Sequence, residues 1–303
     1  MRKEFAQWAE RYYKFNRNTV FLTGDLGFMA LEGLKTIMED RFINTGVAEQ
    51  NMISMGAAMS RQGLQVTCYS IAPFLVFRPA EQIRLDVCLH NLDVKLVGNG
   101  GGYGYGIMGP THHAIEDICF LSSLSNMRCY IPICSESVAM LCEEMMNFRG
   151  PAYLRLGFGN LPENMIPRLN NSPICRLATP KNPMITVVGM GPVVLEAIKA
   201  IQNCAIEADI FAVQQIPFQD SFSLLLESLL KTGRLLIVEE HVQHGGLGSI
   251  LALLLIHHRV ICSVKHVFAV GYPNGRYGSQ AYHRKCSGLD EESLRTLIGL
   301  MTK

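Results

Sequence analysis

Glu49 is the only charged residue between Arg41 and Arg61. It stands in Thr45-Gly46-Val47-Ala48-Glu49-Gln50-Asn51, and Met52, Ile53, Met55, Gly56, Ala57, Ala58 and Met59 follow at helical spacing. A carboxylate cut off from water gains proton affinity, which is useful only where it meets a basic partner. A plainer reading is also open, since a carboxylate in a first helical turn favours the helix dipole. Asp25, in Gly24-Asp25-Leu26-Gly27, follows a strand-like run, where an open α/β sheet holds its ligands; an ordinary turn explains the tetrapeptide equally well. Ile71, Phe74 and Phe77 recur every third residue and form either a core stripe or a flat wall for a heterocycle. Asn99–Gly106 holds five glycines in eight residues and lacks the lysine of a phosphate loop. Such a run lets backbone approach a ligand or another subunit closely. Thr111-His112-His113 comes next. Proton handling or substrate hydrogen bonding by His112 suits it better than metal binding, because no further ligand lies at metal-site spacing.

These residues need elements to position them. The pattern predicts helices over Phe5–Phe15, Glu49–Gln62, Pro73–Leu89, Ser135–Asn147, Pro192–Ile201, Leu247–His257 and Asp290–Met301. It predicts strands over Thr19–Thr23, Gln65–Tyr69, Val94–Gly98, Cys129–Ile131, Ala152–Leu156, Ile185–Val188, Ile210–Val213, Leu235–Val238 and Lys265–Val270. Continuous β-branched runs such as Ile185-Thr186-Val187-Val188 suit strands buried on both faces. Strand and helix in alternation imply an α/β fold of two domains, each with a mostly parallel sheet flanked by helices. The proline-rich stretch Phe158–Pro183 reads as an extended linker, with a boundary near residue 170. The expected domains are 1–170 and 171–303.

Nearly half of the 303 residues are apolar, 49%, and 17% are charged, which suits a large buried core. A net charge of +1 gives no reason to expect nucleic acid or an anionic membrane as partner. The ten cysteines form no CxxC pair and mostly lie in apolar runs, the pattern of reduced thiols in a cytoplasmic protein. The first residues lack a signal-peptide core, and the apolar run Ile250–Ile256 is too short to span a bilayer.

Six segments in order resemble the C-terminal half of transketolase and deoxyxylulose-phosphate synthase. They are GDLG, TGVAEQNM, PFLVFRPAEQIR, GPTHHAIED, PAYLRLG and VEEHVQHGGLGS, and they span nearly the whole chain. The resemblance implies a pyrimidine-binding domain for thiamine diphosphate followed by a transketolase C-terminal domain. It implies that Glu49 contacts the aminopyrimidine ring and sets its tautomer. Ile71, Phe74 and Phe77 would hold that ring, with Asp25 and Leu26 near the cofactor. His112 would face the substrate and handle protons, and Arg155 would contact a sugar phosphate. Glu239, Glu240, His241 and Gly245-Gly246 are expected to pack domains or subunits.

The family's Gly-Asp-Gly motif and following Asn, which hold Mg²⁺ and diphosphate, are missing from this sequence. The resemblance therefore implies a partner chain that carries them, in a heterotetramer with sites between chains, acting on sugars or sugar phosphates. Met108 stands where full-length transketolases place an Asp that reads a sugar hydroxyl, and Gly100 where they place a phosphate-contacting His. The expectation is a donor or acceptor other than an ordinary pentose phosphate: an unusual or nucleotide-linked sugar, or pyruvate donating a two-carbon acyl unit. Two alternatives remain at this point: a 2-oxoacid dehydrogenase β chain, which normally lacks GPTHH, and a non-catalytic scaffold, whose signature would be loss of the glutamate.

Overall fold

The computed structural model describes residues 1–27, 30–161, 169–204 and 206–303. Twelve strands form two sheets: β1 Thr19–Thr23, β2 Phe42–Asn44, β3 Gln65–Ile71, β4 Val94–Asn99, β5 Arg128–Tyr130, β6 Ala152–Leu156, β7 Ile174–Ala178, β8 Ile185–Met190, β9 Ala208–Val213, β10 Gln215–Ile216, β11 Arg234–Glu239 and β12 Ser263–Phe268. The first sheet has the order β10-β5-β6-β4-β3-β1-β2 and is parallel except for β10. The second has the order β12-β11-β8-β9-β7 and is parallel except for β7. Every residue of β1, β3, β4, β6, β8 and β9 is buried, as expected for strands covered by helices on both faces.

Three departures from the sequence expectation have physical causes. The expected linker contains β7, which pairs antiparallel with β9 and covers an edge of the second sheet. Its prolines Pro162 and Pro167 lie outside the described residues. The expected helix Pro73–Leu89 is broken into Ala72–Phe77, Ala80–Gln82 and a wider-wound turn at Ile83–Cys88. Pro79 has no N–H to continue the ladder, so the helix stops beside Arg78. Ile71 ends β3 in an extended conformation and does not begin the helix. Its side chain therefore follows strand alternation, and it does not share a helical stripe with Phe74 and Phe77.

The two sheets are joined through packing. One apolar cluster contains Leu22, Val66 and Leu96 of the first sheet together with Val188, Phe211 and Ile237 of the second. β10, from the second half of the chain, extends the edge of the first sheet through Gln215 opposite Tyr130 and Ile216 opposite Cys129. Among the described residues, no disulfide forms, and no helix is long and apolar enough to cross a membrane.

Candidate active site

The site gathers beyond the C-terminal ends of β1 to β4. Gly46 turns the chain at a left-handed φ of +73°, and Glu49 opens the helix Glu49–Arg61. The Glu49 side chain is 3% exposed. A buried carboxylate needs a partner, and Arg78 provides it: Nη1 donates to Oε1 at 3.0 Å and to Oε2 at 2.9 Å. Ser70 Oγ, at the end of β3, donates to Oε1 at 3.5 Å. The Arg78 guanidinium carbon lies 3.8 Å from the centre of the Phe74 ring. Phase and length explain this, because position 78 is one helical turn beyond 74.

Phe74 continues the contact chain. Its ring meets His112 edge-on at 5.0 Å, and His112 meets Tyr105 at 5.7 Å. His112 Nδ1 lies 2.9 Å from Thr111 Oγ1. The Tyr105 hydroxyl accepts from Asn99 Nδ2 at 2.8 Å, and burial pushes its pKa upward. Glu49, Phe74 and His112 are thus brought together, with Arg78 between the first two. The sequence reading gave Arg78 no role. The signal was available in its spacing, a guanidinium four residues after an aromatic on a helix.

The other expected residues lie around this chain. Asp25 has a left-handed φ of 56° and is held by Asn44, whose side chain accepts its N–H at 3.0 Å and donates to its Oδ1 at 2.9 Å. Asp25 and Leu26 line a cavity of about 150 Å³ with Lys35, Phe42 and Asn44. Leu26 and Ile71 line a second cavity of about 220 Å³ with Tyr69, Asn99 and Tyr105. Phe77 is 39% exposed, one turn beyond Phe74.

Arg155 sits elsewhere. It is 3% exposed. Its Nε donates to Asp117 Oδ2 at 2.8 Å, and its Nη2 donates to the carbonyls of Ala114 at 2.7 Å and Glu240 at 3.1 Å. Burial acts to lower its pKa, and the Asp117 carboxylate more than offsets that, so the net direction is upward. Tyr153 donates to the same Asp117 oxygen at 2.8 Å. Here the guanidinium is committed to a buried network that ties the GPTHH loop to the second half of the chain.

The glycine-rich loop belongs to the same seam. A Cβ on Gly101 would come within 2.5 Å of Arg155 Cγ, and one on Gly102 within 2.5 Å of Glu240 Oε1. Gly101 therefore permits close approach to β6 of the first sheet, and Gly102 to the chain's own second half. His113, 2% exposed, bonds the Gly106 carbonyl at 2.8 Å and the Tyr272 hydroxyl at 2.9 Å. Burial lowers its pKa. Glu239, also fully buried, accepts the N–H groups of Leu247 and Gly248 at a helix start and meets His266 at 2.7 Å. Among the described residues, no group of three or more His, Cys, Asp or Glu is placed to hold a metal ion.

Known proteins resemble this chain in sequence and fold. Residues 1–163 match the family described as transketolase, pyrimidine binding domain, and residues 177–293 match transketolase, C-terminal domain. The chain is 32% identical over 262 residues to a subunit of the apulose-4-phosphate transketolase of Actinobacillus succinogenes, covering 84% of this chain and 83% of that protein. It is 26% identical over 304 residues to the subunit of the same name from Phocaeicola vulgatus, covering 97% of this chain and 94% of that one. A solved structure described as a split gene transketolase, inactive beta4 tetramer, superposes with a TM-score of 0.83 at 25% identity, covering 99% of this chain and 97% of that one. With a buried glutamate at the mouth of its first sheet and both domain matches in order, the chain belongs to the transketolase family, as a chain that joins the pyrimidine-binding domain to the C-terminal domain.

Proposed function

We propose that this chain is the β-type subunit of a two-chain, thiamine-diphosphate-dependent transketolase that transfers a two-carbon ketol unit between sugar phosphates. The observation that carries the reading is the Glu49 carboxylate, 3% exposed at the strand ends and linked through Arg78 to the Phe74 ring. These residues fit the pyrimidine end of the cofactor: Glu49 can accept a hydrogen bond from a planar ring, and half-buried Phe74 can stack on it. Leu26 lines both neighbouring cavities, with Asp25 on one and Ile71 on the other, and Phe77 is exposed one turn beyond Phe74. Thiamine diphosphate, when bound, supplies the carbanion chemistry that no side chain here can supply.

The chain's own residues do the rest. Glu49 orients the heterocycle and holds a proton at its ring. His112, in contact with Phe74, faces the reacting sugar and exchanges protons with its oxygens. Arg155 acts as a positioning residue for the loop that carries His112, through Ala114 and Asp117. A partner chain binds the diphosphate and Mg²⁺, and the two chains assemble as a heterotetramer in the cytoplasm. The domain boundary falls near residue 170. The relatives are named as transketolase subunits, which favours ketol transfer over a 2-oxoacid dehydrogenase β chain or a scaffold.

On the sugar side, exposed Met108 and Ile107 replace the polar reading expected of a pentose-phosphate enzyme. A thioether cannot accept a sugar hydroxyl's hydrogen bond as a carboxylate does. The donor class is a phosphorylated ketose other than xylulose 5-phosphate, of the kind carried in the relatives' name, apulose 4-phosphate. The test is to co-purify the chain with a partner bearing the Gly-Asp-Gly motif and assay both donors. Glu49→Gln should abolish turnover while the assembly survives. Undiminished turnover in that variant would overturn the reading, and preference for xylulose 5-phosphate would overturn the donor assignment.

A further inference from the structure

Arg78 does to Glu49 and Phe74 what the cofactor's ring is proposed to do. Its guanidinium is planar, donates to both oxygens of the buried carboxylate and lies over the aromatic face. We infer that Arg78 is a built-in plug: in the free chain it occupies the aminopyrimidine's place on Glu49 and Phe74, and the cofactor must displace it to bind. This rests on the proposed assignment of that site to thiamine diphosphate.

Two features argue for displacement over permanent pairing. The Arg78 side chain is 43% exposed while Glu49 is 3% exposed, so the arginine has a path into water and the glutamate does not. A buried carboxylate left alone is costly, so the free site needs a temporary partner. Together they give a site that keeps its carboxylate paired and its aromatic wall covered until a ligand with a competing planar donor arrives.

A plug lowers apparent affinity in proportion to the fraction of time the site is open. The experiment is calorimetric titration of the assembled, cofactor-stripped two-chain protein with thiamine diphosphate at saturating Mg²⁺, together with thermal melting of the stripped and loaded forms. Arg78→Ala should tighten the dissociation constant by about tenfold. It should also lower the melting temperature of the stripped form and leave that of the loaded form unchanged. Arg78→Lys, which keeps the charge but loses the planar fork and the stacking, should fall between the two and serves if the alanine variant does not assemble. An unchanged or weakened dissociation constant in both variants overturns the plug and makes Arg78 a direct or structural contact. Failure of the wild-type assembly to bind thiamine diphosphate at all overturns the cofactor assignment instead.

Discussion

The backbone N–H of Tyr103 donates to Glu240 Oε1 at 2.7 Å, joining residues 137 positions apart in the chain. The same carboxylate accepts from Gln280 Nε2 at 2.9 Å and Arg284 Nε at 2.6 Å. One buried side chain thus pins the glycine-rich loop of the first half to two helical residues of the second. Removing it takes their acceptor from the Tyr103 N–H and the Gln280 amide and leaves the Arg284 guanidinium only the longer contact to Glu196 at 3.5 Å. Glu240→Ala should cost about 3 kcal/mol, read as a lowered melting temperature and faster proteolysis within residues 99–113. Glu240→Gln, which keeps one acceptor, should lose less. Melting of the alanine variant at the wild-type temperature would show that this contact does not hold the seam.

Asp117 is fully buried and balances Arg155. Asp117→Asn leaves the arginine charge uncompensated and should cost about 3–5 kcal/mol. Arg155→Lys should lower the melting temperature with little change in KM for a sugar phosphate. A large rise in KM at unchanged melting temperature would instead restore the direct phosphate contact implied by the family resemblance.

His112, whose ring meets Phe74 edge-on at 5.0 Å, is proposed to transfer protons to the sugar. His112→Ala should reduce kcat by about a hundredfold or more, the usual contribution of a positioned acid–base group. The dissociation constant for thiamine diphosphate should not change, because the proposed role of the imidazole is on the sugar. Loss of cofactor binding in that variant would move His112 from the reaction to the cofactor.

The pH dependence of stability should come from the seam. His113 and His283 both have pKa values lowered, first by burial, so both are held neutral in the fold. Gly278 N–H donates to His283 Nε2 at 3.1 Å, and the two imidazoles stand 5.0 Å apart. A base with a folded pKa below its unfolded value contributes fully above the unfolded value and loses that contribution as pH falls towards the folded one. Melting temperature should therefore be level above about pH 6.5 and decline below it. His113→Asn should flatten the acid limb, and an unchanged acid limb in that variant would place the titration elsewhere.

Much of the fold was legible without coordinates. The run Glu49–Met59 has helical spacing and one charge, and the helix forms over Glu49–Arg61. The β-branched runs at Thr19–Thr23 and Ile185–Val188 lie within buried parallel strands. Local pattern carries such elements because burial on a regular backbone imposes a period on the residues. The elements that the sequence hid are those whose existence depends on a distant partner. β2 is three residues long, β10 is two, and β7 lies in a proline-rich stretch; each is a strand only because another strand is there to receive its hydrogen bonds.

The site divides the same way. From sequence alone came a family resemblance, a lone glutamate in apolar surroundings, a stripe of Ile71, Phe74 and Phe77 and a histidine in a loop. Tertiary structure decided which charge meets that glutamate, Arg78 from 29 positions away. It also turned Ile71 towards Leu26 and enclosed Arg155 against Asp117. Residue type sets what a side chain can do, and burial next to a particular partner sets what it does. Pairings of that kind are settled by where sheets and helices bring distant residues into contact, which no local period records.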